Sequence, residues 1–196
     1  MTTTQARPTL VVYKEIVGGD MRKLLAESND DPSQGGGARD LRFPTRAFDP
    51  VLRLMFNKDK TGPRGQAIRV GNFLYLDHDG KPDNTELEYW PPTNTRKSES
   101  RIARIHASPA LGGQLPATDK GKVFVLLTRF SDHTVRCDYA YENELRNPNI
   151  WAKEISSRIL NCLASACVKN ANRTTGLVPA QGYYDFSNAT GYCHAD

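Results

Sequence analysis

The sequence predicts an α+β protein in which antiparallel strands are flanked by two helices. Three stretches carry this expectation. Residues 122–130 contain the continuous apolar run Val123, Phe124, Val125, Leu126 and Leu127, which suits a strand covered on both faces. In 134–141, Val135, Cys137, Tyr139 and Tyr141 alternate with Thr134, Arg136, Asp138 and Ala140, as in a half-exposed strand. After Asn147-Pro148, which reads as an N-cap followed by proline at the first helical position, Trp151, Ile155, Ile159, Leu160, Leu163 and Cys167 fall on one helical face.

The other elements follow in chain order. Thr9–Val17 is apolar and reads as either a strand or a helical turn, stopped by Gly18-Gly19. The period of Met21–Glu27 is equally undecided. Ser28–Gly37 is a turn-rich loop with three consecutive glycines, which either stays mobile or lets backbone approach a ligand closely. It is not a phosphate loop, because no Gly-Lys-Ser/Thr follows and no GxGxxG joins a strand to a helix. Thr45 is placed to cap a helix over Arg46–Phe56, whose stripe is Phe48, Val51, Leu52 and Met55. Ala67–Leu76 reads as a strand, Asp77–Asp83 as a turn and Thr85–Trp90 as the returning strand. Asn170–Asp196 is rich in Gly, Asn and Tyr and has no periodicity. Tyr183, Tyr184, Phe186 and Tyr192 speak for a tail laid on the domain rather than full disorder. The expected organisation is a tail over 1–8, a domain over 9–170 and a C-terminal tail over 171–196.

At 196 residues the chain can bury a real core. No apolar run approaches the ~20 residues that span a bilayer. Met1–Pro8 is polar and lacks the apolar centre of a signal peptide, so the expectation is a cytoplasmic protein without a membrane partner. Cys137, Cys162, Cys167 and Cys193 match no zinc spacing and are expected to be reduced and structural. The net charge of +4 permits a nucleic-acid partner without requiring one.

Functional chemistry concentrates in Pro91–His106. Arg96, Lys97, Arg101 and Arg104 occur there with Glu99 as the sole acid. The proline pair opens it as a loop, and the alternation from Arg101 onward turns it into a short strand. Arginine forks match phosphates and guanine edges, and a carboxylate among them can accept from cytosine or orient an arginine. A solvated loop with local ion pairs is the plainer reading. Arg39, Asp40 and Arg42 form a second basic segment directly after the glycines. Asp77, Asp79, Asp83, Glu86 and Glu88 form an acidic cluster, which reads either as turn chemistry or as a magnesium-dependent nuclease site with a lysine. No nucleophile–base pair, metal set or cofactor motif is identified.

Three blocks in this order resemble the N-terminal effector-binding domain of EcoRII-type restriction endonucleases, a DNA-binding pseudobarrel related to plant auxin-response-factor domains. The first block runs from Ser28 through Gly35–Gly37 and Leu41–Pro44 to a short helix ending at Phe56. The second is Thr95–Arg104, and the third is Lys120–Phe130 with the strand carrying Arg136–Tyr141. The resemblance implies an open, mostly antiparallel pseudobarrel that grips the major groove of double-stranded DNA with two arms. It places Arg39, Asp40 and Arg42 on one arm, and Arg96, Lys97, Glu99, Arg101 and Arg104 on the other. It also implies a restriction or phage-defence setting, with a nuclease domain or partner subunit supplying any cutting. Two departures keep the family's target sequence from being carried over. The stretch between Thr95 and Ile102 is one residue longer, and Ala-Arg-Asp follows the glycines. Nothing after Asn170 resembles a nuclease. The expectation is therefore a sequence-specific DNA reader without its own catalytic centre. The alternatives are a small metal-dependent nuclease and a defence-system adaptor that binds an acidic protein.

Overall fold

A computed structural model describes residues 6–25, 39–43, 46–95, 99–117, 119–171, 173 and 176–195. Its strands are β1 (Pro8–Glu15), β2 (Leu41–Phe43), β3 (Lys58–Thr61), β4 (Ala67–Leu76), β5 (Pro82–Trp90), β6 (Ser100–Ala103), β7 (Val123–Phe130), β8 (Val135–Tyr141), β9 (Gln181–Asp185) and β10 (Thr190–Cys193). Its helices are α1 (Gly18–Leu24), α2 (Phe48–Met55), α3 (Glu142–Leu145) and α4 (Lys153–Ala171). The protein is therefore α+β, and its strand pairs described below are antiparallel, as the sequence predicts. The chain divides into two compact units, Ile16–Pro116 and a second built from Met1–Glu15 with Ala117–Asp196.

In the second unit the strand order is β10-β9-β1-β7-β8. The central register pairs Val11 with Thr128 on β7 and with Tyr184 on β9. One face carries Val11, Tyr13, Phe124, Leu126 and Ala140 into a core with Ile155, Ile159, Cys162, Leu163 and Ala166 of α4. That helix starts later than the sequence predicts. The Oδ1 of Asn147 accepts the backbone N–H of Asn149 at 3.0 Å, an Asx turn that holds the chain out of a helix there.

The C-terminal segment is not an aperiodic tail. β9 hydrogen-bonds to β1, β10 to β9, and Asp185 caps the turn between them by accepting the N–H groups of Ser187 and Asn188. A Cys162–Cys193 disulfide ties β10 to α4. This corrects the reading of four reduced cysteines, since only Cys137 and Cys167 are free thiols. Two cysteines 31 residues apart carry no pairing signal of their own; the fold supplies the proximity. Disulfides belong mainly to oxidising compartments, which sits against the cytoplasmic expectation. Among the described residues no helix is long and apolar enough to cross a membrane.

In the Ile16–Pro116 unit, β4, β5, β6 and β2 lie in that order, and β3 pairs with the first part of β4. β4 has the bounds the sequence predicts. Strand β6 is held on both sides: Ile102 is opposite Tyr89 on β5 and Leu41 on β2. Those three side chains point into a core that also buries Phe43, Phe48, Leu52, Phe56, Phe73 and Leu87. Ring contacts join it, with Phe43 4.8 Å from Phe48 and Phe56 5.0 Å from Phe73. α2 begins at Phe48, so Pro50 falls in its first turn, where a missing N–H costs nothing. The expected Thr45 cap lies outside the described residues. The buried Tyr89 hydroxyl donates to Asp49 of α2 and lies 3.1 Å from the Ser100 hydroxyl, which ties helix, β5 and β6 together beneath the site. Burial and the Asp49 carboxylate push that phenol well above its ordinary range.

Candidate nucleic-acid interface

The candidate site follows from strand alternation. Because Leu41, Phe43, Ile102, Leu87 and Tyr89 face the core, their neighbours must face the other way. Register places Trp90, Arg101 and Arg42 in one row across β5, β6 and β2, and Glu88 beside Ala103 in the next. Two segments that are about sixty residues apart in sequence thus become hydrogen-bonded neighbours: Asp40 and Arg101 are separated by 61 positions.

Charge is paired across this face. Arg101 Nη1 donates to Asp40 Oδ2 at 3.2 Å, and both side chains are only 11% exposed. The Arg101 guanidinium also lies over the Trp90 ring, 5.1 Å from its centroid, a cation–π contact. Arg42 Nε stands 3.1 Å from Glu99 Oε1, nearer the surface. Arg104 is largely exposed and reaches to 4.0 Å from Glu88. Lys60 of β3 bonds Glu86 at 2.9 Å and lies 3.7 Å from Glu88.

The backbone changes direction at Arg104, which takes a left-handed conformation with φ 56° and ψ 35°. A non-glycine residue is held there at a cost of about 1–2 kcal/mol, as happens where surrounding structure over-determines the turn. The N–H of Ile105 donates to Arg39 O at 3.1 Å and opens a 3-10 turn over Ile105–Ala107. Burial, then Arg39 and Arg104, depress the imidazole of His106 below its ordinary value. The positive charge of the two arginines therefore converges on this turn.

A pH experiment checks that field. The unfolded chain binds the His106 proton more readily than the folded protein does. Whatever stability His106 contributes is therefore present above the unfolded pKa of about 6.5 and is lost as pH falls through that value towards the folded one. NMR titration of His106 should give a midpoint below 6.5, and Arg104→Ala should move it upward. A midpoint unchanged by that substitution would remove Arg104 from the field at His106.

The sequence-predicted site residues separate accordingly. Asp40 and Arg101 are buried against each other, Arg42 and Glu99 pair at the rim, Arg104 projects, and Arg39 acts on His106. Arg96 and Lys97 lie outside the described residues, as do Gly35–Gly37. Trp90, against Arg101, and Lys60, against Glu86 and Glu88, lie on the same charged face and were not singled out by sequence. Trp90 was detectable, since it alternates with the core residues Leu87 and Tyr89; Lys60, on an exposed strand, offered no signal.

The acidic cluster is dispersed. Asp77 accepts the N–H groups of Asp79 and Lys81 in the turn, Asp83 accepts from the Tyr75 hydroxyl, and Glu86 and Glu88 face Lys60. Among the described residues no three His, Cys, Asp or Glu side chains gather as a metal-holding group. No family model matches the chain, and comparison with the curated proteins and with the solved structures found no match.

Proposed function

We propose that this protein is a sequence-specific double-stranded DNA-binding module that reads the major groove with the charged face of β5, β6 and β2 and the loops leading into β2 and β6. The observation that carries the reading is the juxtaposition of the two basic segments on paired strands, with forked donors and carboxylates alternating across one face. The resemblance to EcoRII-type effector domains, whose two arms converge on DNA, points the same way. Arg104 and Arg42 are the exposed members and are assigned to phosphates and base edges. Arg101 and Asp40 are assigned a positioning role, because their charges are already spent on each other.

The test is selection of bound duplexes from a randomised pool at near-physiological salt. A short enriched motif is the expected result. Weak binding that shows no enrichment and disappears as salt rises would reduce the face to a nonspecific surface. Magnesium-dependent cutting of the same duplexes would favour the nuclease alternative.

A further inference from the structure

The unit built from Met1–Glu15 and Ala117–Asp196 holds a pocket of about 420 Å³ between α4 and the β9–β10 hairpin, a size usual for small-molecule sites. Helical spacing sets one wall. Arg158, Asn161 and Ser165 stand three and four residues apart, so they share one stripe of α4 with Cys162. The opposite wall is formed by Tyr184 and Gly191, and the Cys162–Cys193 disulfide joins the two walls.

The cation in this pocket differs from those of the charged face. Arg42, Arg101 and Arg104 each stand against a carboxylate. Among the described residues Arg158 forms no ion pair. An aromatic ring holds it instead: its Cζ lies 3.9 Å from the Tyr184 centroid, and its Nη2 donates to the Tyr184 hydroxyl at 3.0 Å. That contact fixes the guanidinium and leaves its charge uncompensated and its other N–H groups available. The side chains of Asn161 and Ser165 make no hydrogen bond to the described residues either.

A fixed fork without a counter-charge selects a carboxylate, which accepts two parallel N–H bonds. A phosphate dianion would meet only one cation here. Asn161 and Ser165, one and two turns further along α4, add neutral hydrogen-bonding groups beside the fork. A bare carboxylate would leave most of the pocket empty. The wall that remains is the disulfide, and sulfur packs favourably against an aromatic ring.

We infer that this pocket binds a small aromatic carboxylate, with the carboxylate on the Arg158 fork and the ring against the Cys162–Cys193 disulfide. The site uses no residue of the charged face of β5, β6 and β2, so it does not depend on the DNA-binding reading.

Benzoate is the probe, with acetate lacking the ring and benzamide lacking the charge. In NMR titrations of the oxidised protein, benzoate should shift the backbone amides of Arg158, Asn161, Ser165 and Gly191 saturably. Acetate and benzamide should bind at least about tenfold more weakly. Arg158 and Asn161 are exposed, so substitutions there keep the fold, which the amide spectrum verifies. Arg158→Gln should weaken benzoate about tenfold or more. Arg158→Lys should fall between, since an ammonium keeps the charge and loses the fork. Asn161→Trp should block the pocket by bulk without touching the charge. No saturable shift below about 10 mM benzoate would overturn the assignment. So would acetate or benzamide binding as well as benzoate, or a benzoate affinity that Arg158→Gln leaves unchanged.

Discussion

Asp40→Ala is expected to destabilise the protein by about 3 kcal/mol or more, because it leaves the Arg101 guanidinium buried without its counter-charge. The cation–π contact with Trp90 and the ladder bonds of β6 do not replace a carboxylate that neutralises and accepts from Nη1. The buried Nε of Arg101 already lacks a hydrogen-bond partner, so the side chain has little to fall back on. The double variant Asp40→Leu/Arg101→Met should recover most of the loss, since an apolar pair of similar volume avoids the desolvation that the ion pair must offset. Urea denaturation of the wild type, both single variants and the double variant gives the coupling between the two residues. A loss below about 1 kcal/mol for Asp40→Ala would class the pair with ordinary surface salt bridges. The same variants bear on function. If Arg101 only positions the face, the double variant keeps its DNA preference; if Arg101 reads a base, preference is lost at one position while the fold survives.

The contrast between these residues and their neighbours explains what was legible in the sequence. The apolar run at Val123–Leu127 marks β7, where sequence and burial coincide, and alternation finds β4 but only half of its buried face: Ile68 and Val70 are buried, then the parity moves at Gly71 to Phe73 and Tyr75 and leaves Leu76 exposed. β9 and β10 carry no such signal. Gly182 and Gly191 occupy positions where a side chain would be expected. A Cβ at Gly182 would fall 2.5 Å from the Tyr13 hydroxyl, and one at Gly191 2.6 Å from the Tyr184 ring. The glycines make room for aromatic rings lying across the strands, a tertiary fact that erases the local period. At the candidate site the cationic segments were visible by composition. Their strand-to-strand register was not, nor was the division between the buried pair Asp40–Arg101 and the exposed Arg104, because pairing between residues 61 positions apart leaves no local trace. Lys60 enters through β3, a strand with four exposed residues and no apolar periodicity.

Opening the Cys162–Cys193 disulfide should cost about 3–4 kcal/mol, the loop-entropy value for a cross-link spanning 31 residues. For a chain of this size that corresponds to a drop of about 6–16 °C in Tm. The loss should be felt first in β10, which pairs with β9 over four positions, Thr190 to Cys193, and reaches α4 through the sulfur bridge. β9 keeps its five-residue register with β1 in the reduced protein. Hydrogen exchange in dithiothreitol should therefore accelerate at 190–193 well before 181–185, while α4 stays protected by Ile155, Ile159, Leu163 and Ala166 in the core. Cys193→Ser should reproduce the effect without reductant. Internal controls are at hand. Cys137 is fully buried, with its thiol pushed far above the usual range by desolvation, whereas Cys167 is exposed. An alkylating reagent should label Cys167 in both states and Cys193 only after reduction, with the buried Cys162 and Cys137 labelled only on unfolding. Unfolding curves that coincide with and without the bond, under conditions where two extra thiols titrate, would mean that the β9–β10 hairpin is held by its ladder and by Ala180 and Ala195 in the core, with the cross-link adding nothing.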